Sequence, residues 1–192
     1  MPTVIVATGN PGKLKEMQVY LTPLGWELQL KPKDIEVDET GTTFLENARL
    51  KAREVAIATN QWSIADDSGL QIDALNGAPG LYSARYGQDD HDRINRVLRE
   101  LKDVQDRSAQ FVCALALARP DGSIALETEG ICPGTILTEP QGSNGFGYDP
   151  IFYVPSQAKS FAEMDSQEKE THSHRGVAFA QIMNQLQNLT LE

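Results

Sequence analysis

Several short segments of this chain carry side chains suited to an anion, a metal ion or a flat ring. The first is Thr8-Gly9-Asn10-Pro11-Gly12-Lys13. It follows a β-branched run and precedes a helical pattern, which sets free backbone N–H groups and a favourable dipole at a helix N-terminus, where anions bind. Thr8 and Asn10 offer hydrogen bonds to phosphate oxygens, Gly9 and Gly12 allow close approach, and Lys13 adds positive charge. Spacing excludes a Walker A loop, because Gly9 to Gly12 is too short and Leu14 stands where Ser or Thr would bind Mg²⁺. The Gly-x-Gly-x-x-Gly dinucleotide fingerprint is also absent. A plain strand-to-helix turn has the same composition and is an equal alternative at this point.

The second segment, Asp66-Asp67-Ser68-Gly69, is expected where a strand ends, the edge at which α/β folds build sites. Adjacent carboxylates are costly to bring together unless a cation or proton compensates them. Mg²⁺ takes one or two carboxylates together with substrate phosphates. A solvated turn is the commoner origin of such a tetrad taken alone. Upstream, Asp34, Glu36, Asp38 and Glu39 form an acidic stretch, with Glu46 beyond it. An exposed acidic loop is the ordinary reading, and Glu39, just before Thr40-Gly41, is the candidate second carboxylate for a metal.

The third is Gly142-Ser143-Asn144-Gly145-Phe146-Gly147-Tyr148-Asp149-Pro150. Glycines add no packing around Phe146, so a loop presenting that ring to a flat ligand is the natural functional reading. Base-on-aromatic stacking contributes ~1–3 kcal/mol per base. A Gly-rich hairpin with aromatics tucked onto a sheet is the alternative, and it suits Tyr148 better than Phe146. Last come Lys169 and Ser173-His174-Arg175-Gly176. Ser173 is expected to cap a final helix, leaving His174 and Arg175 in its first turn, where cations oppose the dipole. Basic groups there point to an anionic or carbonyl-rich partner, with a surface basic patch as the even alternative. His91 and His172 lack such a setting and are expected at the surface.

The elements that must position these residues are legible from periodicity and punctuation. Thr3–Ala7 reads as a buried strand, and a helix then carries Leu14, Met17, Leu21 and Leu24 on one face. Glu27–Leu30 forms a second strand. Thr43-Phe44-Leu45-Glu46 has capping-box form and opens a helix to about Thr59, its apolar face lined by Leu45, Ala48, Ala52, Val55 and Ala56. Trp62–Ala65 is a short strand ending on the Asp-Asp pair, Leu70–Leu75 alternates as another, and Asn76-Gly77 signals a turn. Asp89–Lys102 is a helix striped with Ile94, Val97, Leu98 and Leu101. Phe111–Ala118 and Ile124–Ile131 flank Pro120-Asp121-Gly122 as a hairpin. Cys132–Asp149 reads as loop with short strands, Ile151–Val154 as a strand, and Val177–Leu189 as a closing helix. Strands and helices mix without strict alternation, so the fold class is α/β with a mixed central sheet and flanking helices. One domain spanning 1–192, built as two lobes enclosing a cleft, is the expected organisation.

Composition narrows the chemistry. A formal net charge of −10 and a pI near 4.8 argue against non-specific affinity for nucleic acid or anionic membrane. An acidic chain can hold a polyphosphate only where local Lys, Arg, N–H groups and a metal outweigh the global field. No signal peptide and no apolar run near the ~18–20 residues of a membrane span are visible, so the cytoplasm is the expected compartment. Cys113 lies in a predicted strand and Cys132 beside a Pro-Gly turn, so free thiols are expected rather than a disulfide or zinc site.

Each segment alone is weak, but their order is specific. Thr-Gly-Asn-x-x-Lys, Glu-Thr-Gly-x-Thr-Phe-x-Glu-Asn-Ala, Asp-Asp-Ser-Gly-Leu, Phe-Gly-Tyr-Asp-Pro and Lys-x-x-x-Ser-His-Arg succeed one another from Thr8 to Arg175. Together they resemble the ITP/XTP pyrophosphatase family, which removes non-standard purine nucleotides from nucleotide pools. Gly77-Ala78-Pro79-Gly80 and Tyr82-Ser83-Ala84-Arg85-Tyr86 also match its bacterial members. The resemblance implies that Thr8, Gly9, Asn10, Pro11, Gly12 and Lys13 hold the triphosphate. It implies that Glu39 and Asp67 organise Mg²⁺, that Asp67 activates water and that Ser68 helps place substrate. Phe146 would stack on the purine, with Gly147, Tyr148 and Asp149 completing that wall, while Lys169, His174 and Arg175 complete the nucleotide pocket. A homodimer is implied as well. Thr171 and His172 depart from the family's commoner filler before Ser-His-Arg. The implied reaction is hydrolysis of dITP, ITP, XTP or dXTP to monophosphate and pyrophosphate. A pyrophosphatase for other modified nucleotides and a non-hydrolytic nucleotide sensor are the rival expectations.

Overall fold

Pro11 can open a helix but not continue one, and α1 (Pro11–Leu21) begins on it. The Asn10 side-chain oxygen caps the helix, accepting from Gly12 N at 2.8 Å and Lys13 N at 3.4 Å. A single 3₁₀ turn follows, ended by Gly25 at φ 75°. The computed structural model describes residues 2–191. Its strands are β1 (Thr3–Val6), β2 (Glu27–Leu30), β3 (Trp62–Ile72), β4 (Ser108–Ala118), β5 (Ile124–Ile136), β6 (Phe152–Val154) and β7 (Lys159–Ser160). The remaining helices are α2 (Phe44–Thr59), α3 (Asp90–Glu100), α4 (Ser166–His172) and α5 (His174–Gln187). The sheet order is β2-β1-β3-β4-β5-β6-β7. β1 runs parallel to β2 and β3, whereas β6 is antiparallel to β5 and β7. The expected mixed sheet with flanking helices is therefore what the chain forms.

Packing divides the chain into two units. The first comprises 1–67, 113–130 and 178–192. Val4, Val6, Trp62 and Ile64 face Met17 and Leu21 of α1 and Phe179, Ile182 and Leu186 of α5 in one apolar cluster. The opposite face of β3 belongs to α2, whose Asn47 and Lys51 reach Asp67. The second unit comprises 68–112 and 131–177. Its cluster joins Leu70 and Ile72 to Ile94 and Val97 of α3, to Leu101 just past its end, and to Phe111, Tyr148, Phe152 and Phe161.

Several expectations change. Asp66-Asp67-Ser68-Gly69 is not a turn at a strand end, because β3 runs unbroken from Trp62 to Ile72. Its continuation is shorter than expected, and Asp73–Leu75 is a 3₁₀ turn. β5 extends through Cys132-Pro133-Gly134 to Ile136, where Thr135 and Ile136 pair with β6, so strand pairing overrides turn composition. On α2 the face is completed by Phe44 and Asn47 rather than Leu45, which is only half-buried. Both cysteines are buried thiols outside any disulfide. No helix among the described residues is long and apolar enough to cross a membrane.

Candidate active site

In a strand, successive side chains point to opposite faces, so Asp66 and Asp67 separate. Asp66 turns to the α1 face, fully buried, and Lys13 Nζ lies 3.2 Å from its Oδ2. Asp67 turns to the α2 face. There Asn47 Nδ2 donates to Asp67 Oδ2 at 3.3 Å, and Lys51 Nζ donates to Asp67 Oδ1 at 3.0 Å. Asn47 and Lys51 are four apart and share one face of α2.

Lys51 also donates to Glu39 Oε1 at 2.6 Å, so Glu39 and Asp67 converge on a single ammonium. The loop that carries Glu39 is tied down twice. Gly41 N donates to Asn47 Oδ1 at 2.8 Å, and Thr42 N and Oγ1 donate to Glu46 Oε2 at 2.6 and 2.9 Å. A Cβ on Gly41 would stand 2.6 Å from Asn47 Oδ1, so only glycine lets the loop close this tightly. Glu46 thus completes a capping arrangement through Thr42, while Thr43 caps α2 by accepting from Glu46 N. Because the Gly41 N–H needs an acceptor, the amide of Asn47 must turn its NH₂ to Asp67.

Burial pushes the Asp67 carboxyl above its usual range, against the pull of Lys51 and Lys13. Burial works against the Lys51 ammonium too, but Asp67, Asp66 and Glu39 outweigh it and hold that group above its ordinary value. Among the described residues, no cluster of three or more His, Cys, Asp or Glu side chains forms a metal cage. Two carboxylates already sharing one cation do fit an ion that takes few protein oxygens and keeps the rest for phosphates and water.

The phosphate-turn residues are more committed than their composition suggested. Thr8 Oγ1 accepts from Asn10 N at 3.1 Å, and Asn10 Oδ1 is occupied as the cap of α1. Thr8, Gly9 and Pro11 line the approach to the helix N-terminus, with Gly9, Asn10 and Pro11 exposed.

The second unit gathers the remaining candidates. Lys169 on α4 is buried, and its Nζ donates to Asp149 Oδ2 at 2.5 Å while lying 4.9 Å from the Phe146 ring centroid. Asp149 Oδ2 also accepts from Phe146 N at 2.9 Å. Gly147 N donates to Asp90 Oδ2 at 2.8 Å, which anchors the same loop to α3. Phe146 is half-buried, whereas Tyr148 is buried and donates through its hydroxyl to Ser83 O at 2.7 Å. Burial pushes the Tyr148 phenol up, so the hydroxyl stays protonated as that donor. His174 stacks on Phe111 at 4.7 Å and 15°. Arg175 is 1% exposed, and its Nη2 donates to Ser68 Oγ at 3.2 Å. Ser173 caps α5 as expected, accepting from Gly176 N at 3.1 Å. His91 is exposed and pairs with Asn95, and His172 is half-buried at the end of α4.

Sequence reasoning missed Lys51 and Asn47 as members of this arrangement. The available signal was their four-residue spacing beside the apolar stripe of α2. Asp90 carried no signal at all.

Residues 4–185 match the model of the Ham1 family. A Synechocystis protein named dITP/XTP pyrophosphatase is 60% identical over 192 residues, spanning 100% of this chain and 99% of that protein. A solved HAM1 protein from Coxiella burnetii superposes with a TM-score of 0.88 at 44% identity, covering 98% of this chain and 100% of the other. A nucleoside-triphosphatase, dITP/XTP pyrophosphatase, from Mycobacterium abscessus superposes with a TM-score of 0.74 at 42% identity, covering 94% and 98%.

Proposed function

This chain belongs to the Ham1 family, and from that premise we propose that it hydrolyses non-standard purine nucleoside triphosphates. ITP, dITP, XTP and dXTP would each yield the monophosphate and pyrophosphate. The observation that carries this reading is the pair of carboxylates, Glu39 and Asp67, held on one cation in a chain so similar to dITP/XTP pyrophosphatases.

Glu39 and Asp67 would hold Mg²⁺, which when bound neutralises phosphate charge and orients the leaving pyrophosphate. Asp67 would orient the attacking water and take its proton, a role suited to a carboxylate whose burial raises its basicity. Phosphate oxygens would take the Gly12 and Lys13 N–H groups from the Asn10 side chain that caps them, with the Lys13 ammonium adding charge beside them. No covalent nucleophile is needed. Ser68 Oγ receives a hydrogen bond from Arg175, a group that cannot accept its proton.

In the second unit Phe146 would stack on the purine. Lys169, Asp149, Gly147 and Tyr148 would fix the loop that presents it. His174 and Arg175 would face O6 of hypoxanthine or xanthine. Adenine puts an amine there, and an unpaired buried polar group costs ~1–3 kcal/mol. We also infer a cytoplasmic homodimer from the family pattern, which sedimentation and fractionation would check. The deciding assay is pyrophosphate release from a panel of ITP, XTP, dITP, ATP and GTP, with and without Mg²⁺. Mg²⁺-dependent release favouring ITP and XTP supports the reading, and no release from any of them ends it.

A further inference from the structure

Resting on the reading that Glu39 and Asp67 hold a divalent ion, we propose that Lys51 is a built-in counter-cation. It occupies the metal position until substrate arrives, so the metal enters only together with the triphosphate.

Helix α2 covers both oxygens of Asp67. Asn47 takes Oδ2, and Lys51 takes Oδ1 while also contacting Glu39 Oε1. A divalent ion that used Asp67 Oδ1 and Glu39 Oε1 would have to stand where the ammonium stands. The Lys51 side chain is only 13% exposed, so its charge is poorly screened by water. Lys13 does not share this duty, because it lies on the other face of β3 against Asp66. A metal arriving alone therefore meets a like charge already paired with its intended ligands. A triphosphate changes this, since it offers the displaced ammonium a new anionic partner. The four-carbon stem lets Nζ swing while its helix stays in place. Metal and nucleotide affinities are then coupled, each raising the other by the same factor.

Mn²⁺ serves as the probe, titrated into metal-free protein and followed by the electron paramagnetic resonance of the free ion. The titration is run with and without the α,β-methylene analogue of ITP. The wild type should bind Mn²⁺ weakly alone and about tenfold or more tightly with the analogue, within the usual range of coupling. K51M should bind Mn²⁺ alone about tenfold more tightly than the wild type, whereas K51R, which keeps the charge, should not. Equal Mn²⁺ affinity of the wild type with and without the analogue overturns the proposal, and needs no variant to fold. A K51M protein that binds Mn²⁺ no better than the wild type overturns it too, as does Mn²⁺ uptake untouched by D67N. A wild type that hydrolyses ITP yet shows no coupling sinks only the counter-cation, whereas absence of hydrolysis sinks the enzymatic reading itself.

Discussion

Asp67 points at α2 and its neighbour Asp66 at α1, each met by its own lysine. Their adjacency in the sequence suggested one shared site, and the pleat instead distributes them to two. Asp67 lies beside a second carboxylate, Glu39, on a common cation. We therefore expect Asp67→Asn to lower kcat for ITP by ~10²–10⁴-fold, the usual contribution of a general base. KM should change by only a few-fold, and steady-state kinetics at saturating Mg²⁺ would check both. A near-normal kcat would remove Asp67 from the chemistry. Cys132 makes a separate prediction. Burial pushes its thiol from about 9 up to about 11. Folding thus favours the neutral thiol, a contribution fully present below about pH 9 and lost as pH rises through about 11. Native protein at pH 8 should react slowly with Ellman's reagent, and the reaction should accelerate in denaturant. Lys51 was passed over at this scale because a helix lysine ordinarily marks a solvated face. What makes it otherwise is the Glu39 loop folded against it, a contact between residues 12 positions apart.

The helices whose caps and stripes agree were readable at the level of the element. Thr43 and Asn60 bound α2, and Asp89 opens α3 by accepting from Asp92 N. α4 escaped because Ser-Gln-Glu-Lys-Glu-Thr-His has no apolar stripe. Its signal was local, a capping box between Asp165 and Glu168. That short helix matters because it delivers Lys169 to Asp149. β3 misled for the opposite reason: a tetrad with turn composition is held extended by its neighbours in the sheet. The Phe146 loop is where composition and geometry agree most closely. Gly145 has φ 76°, and a Cβ there would stand 1.9 Å from Asp149 Oδ2. Gly145→Ala should therefore cost at least ~1–2 kcal/mol for the left-handed backbone alone. It should also displace Asp149 from Phe146 N. Urea unfolding would read the first effect. A rise in KM for ITP exceeding the fall in kcat would read the second, and an unchanged KM would detach the loop from base binding.

At the scale of the whole chain, the sequence passes repeatedly between the two units. Five successive segments, 1–67, 68–112, 113–130, 131–177 and 178–192, alternate between the two units. Neither unit is a continuous stretch that could be excised, so unfolding is expected to be a single cooperative step. Trp26 and Trp62 both report on the first unit, while exchange of peptides from α3 reports on the second. Coincident urea midpoints for the two would bear this out, and separated midpoints would refute it. Length, charge and mixed patterning made the fold class legible at this scale. The segment boundaries were not legible, because they fall inside β3, β4, β5 and α5 where no composition shift marks them. The strict alternation of β3 also sets a rule for change over evolutionary time. Deleting or inserting one residue between Trp62 and Asp66 would exchange the partners of the two aspartates, giving α2 the wrong one. Length variation among descendants of this gene should therefore collect in exposed connections such as the 119–123 turn. Within β3 the number of residues should be as fixed as their identity.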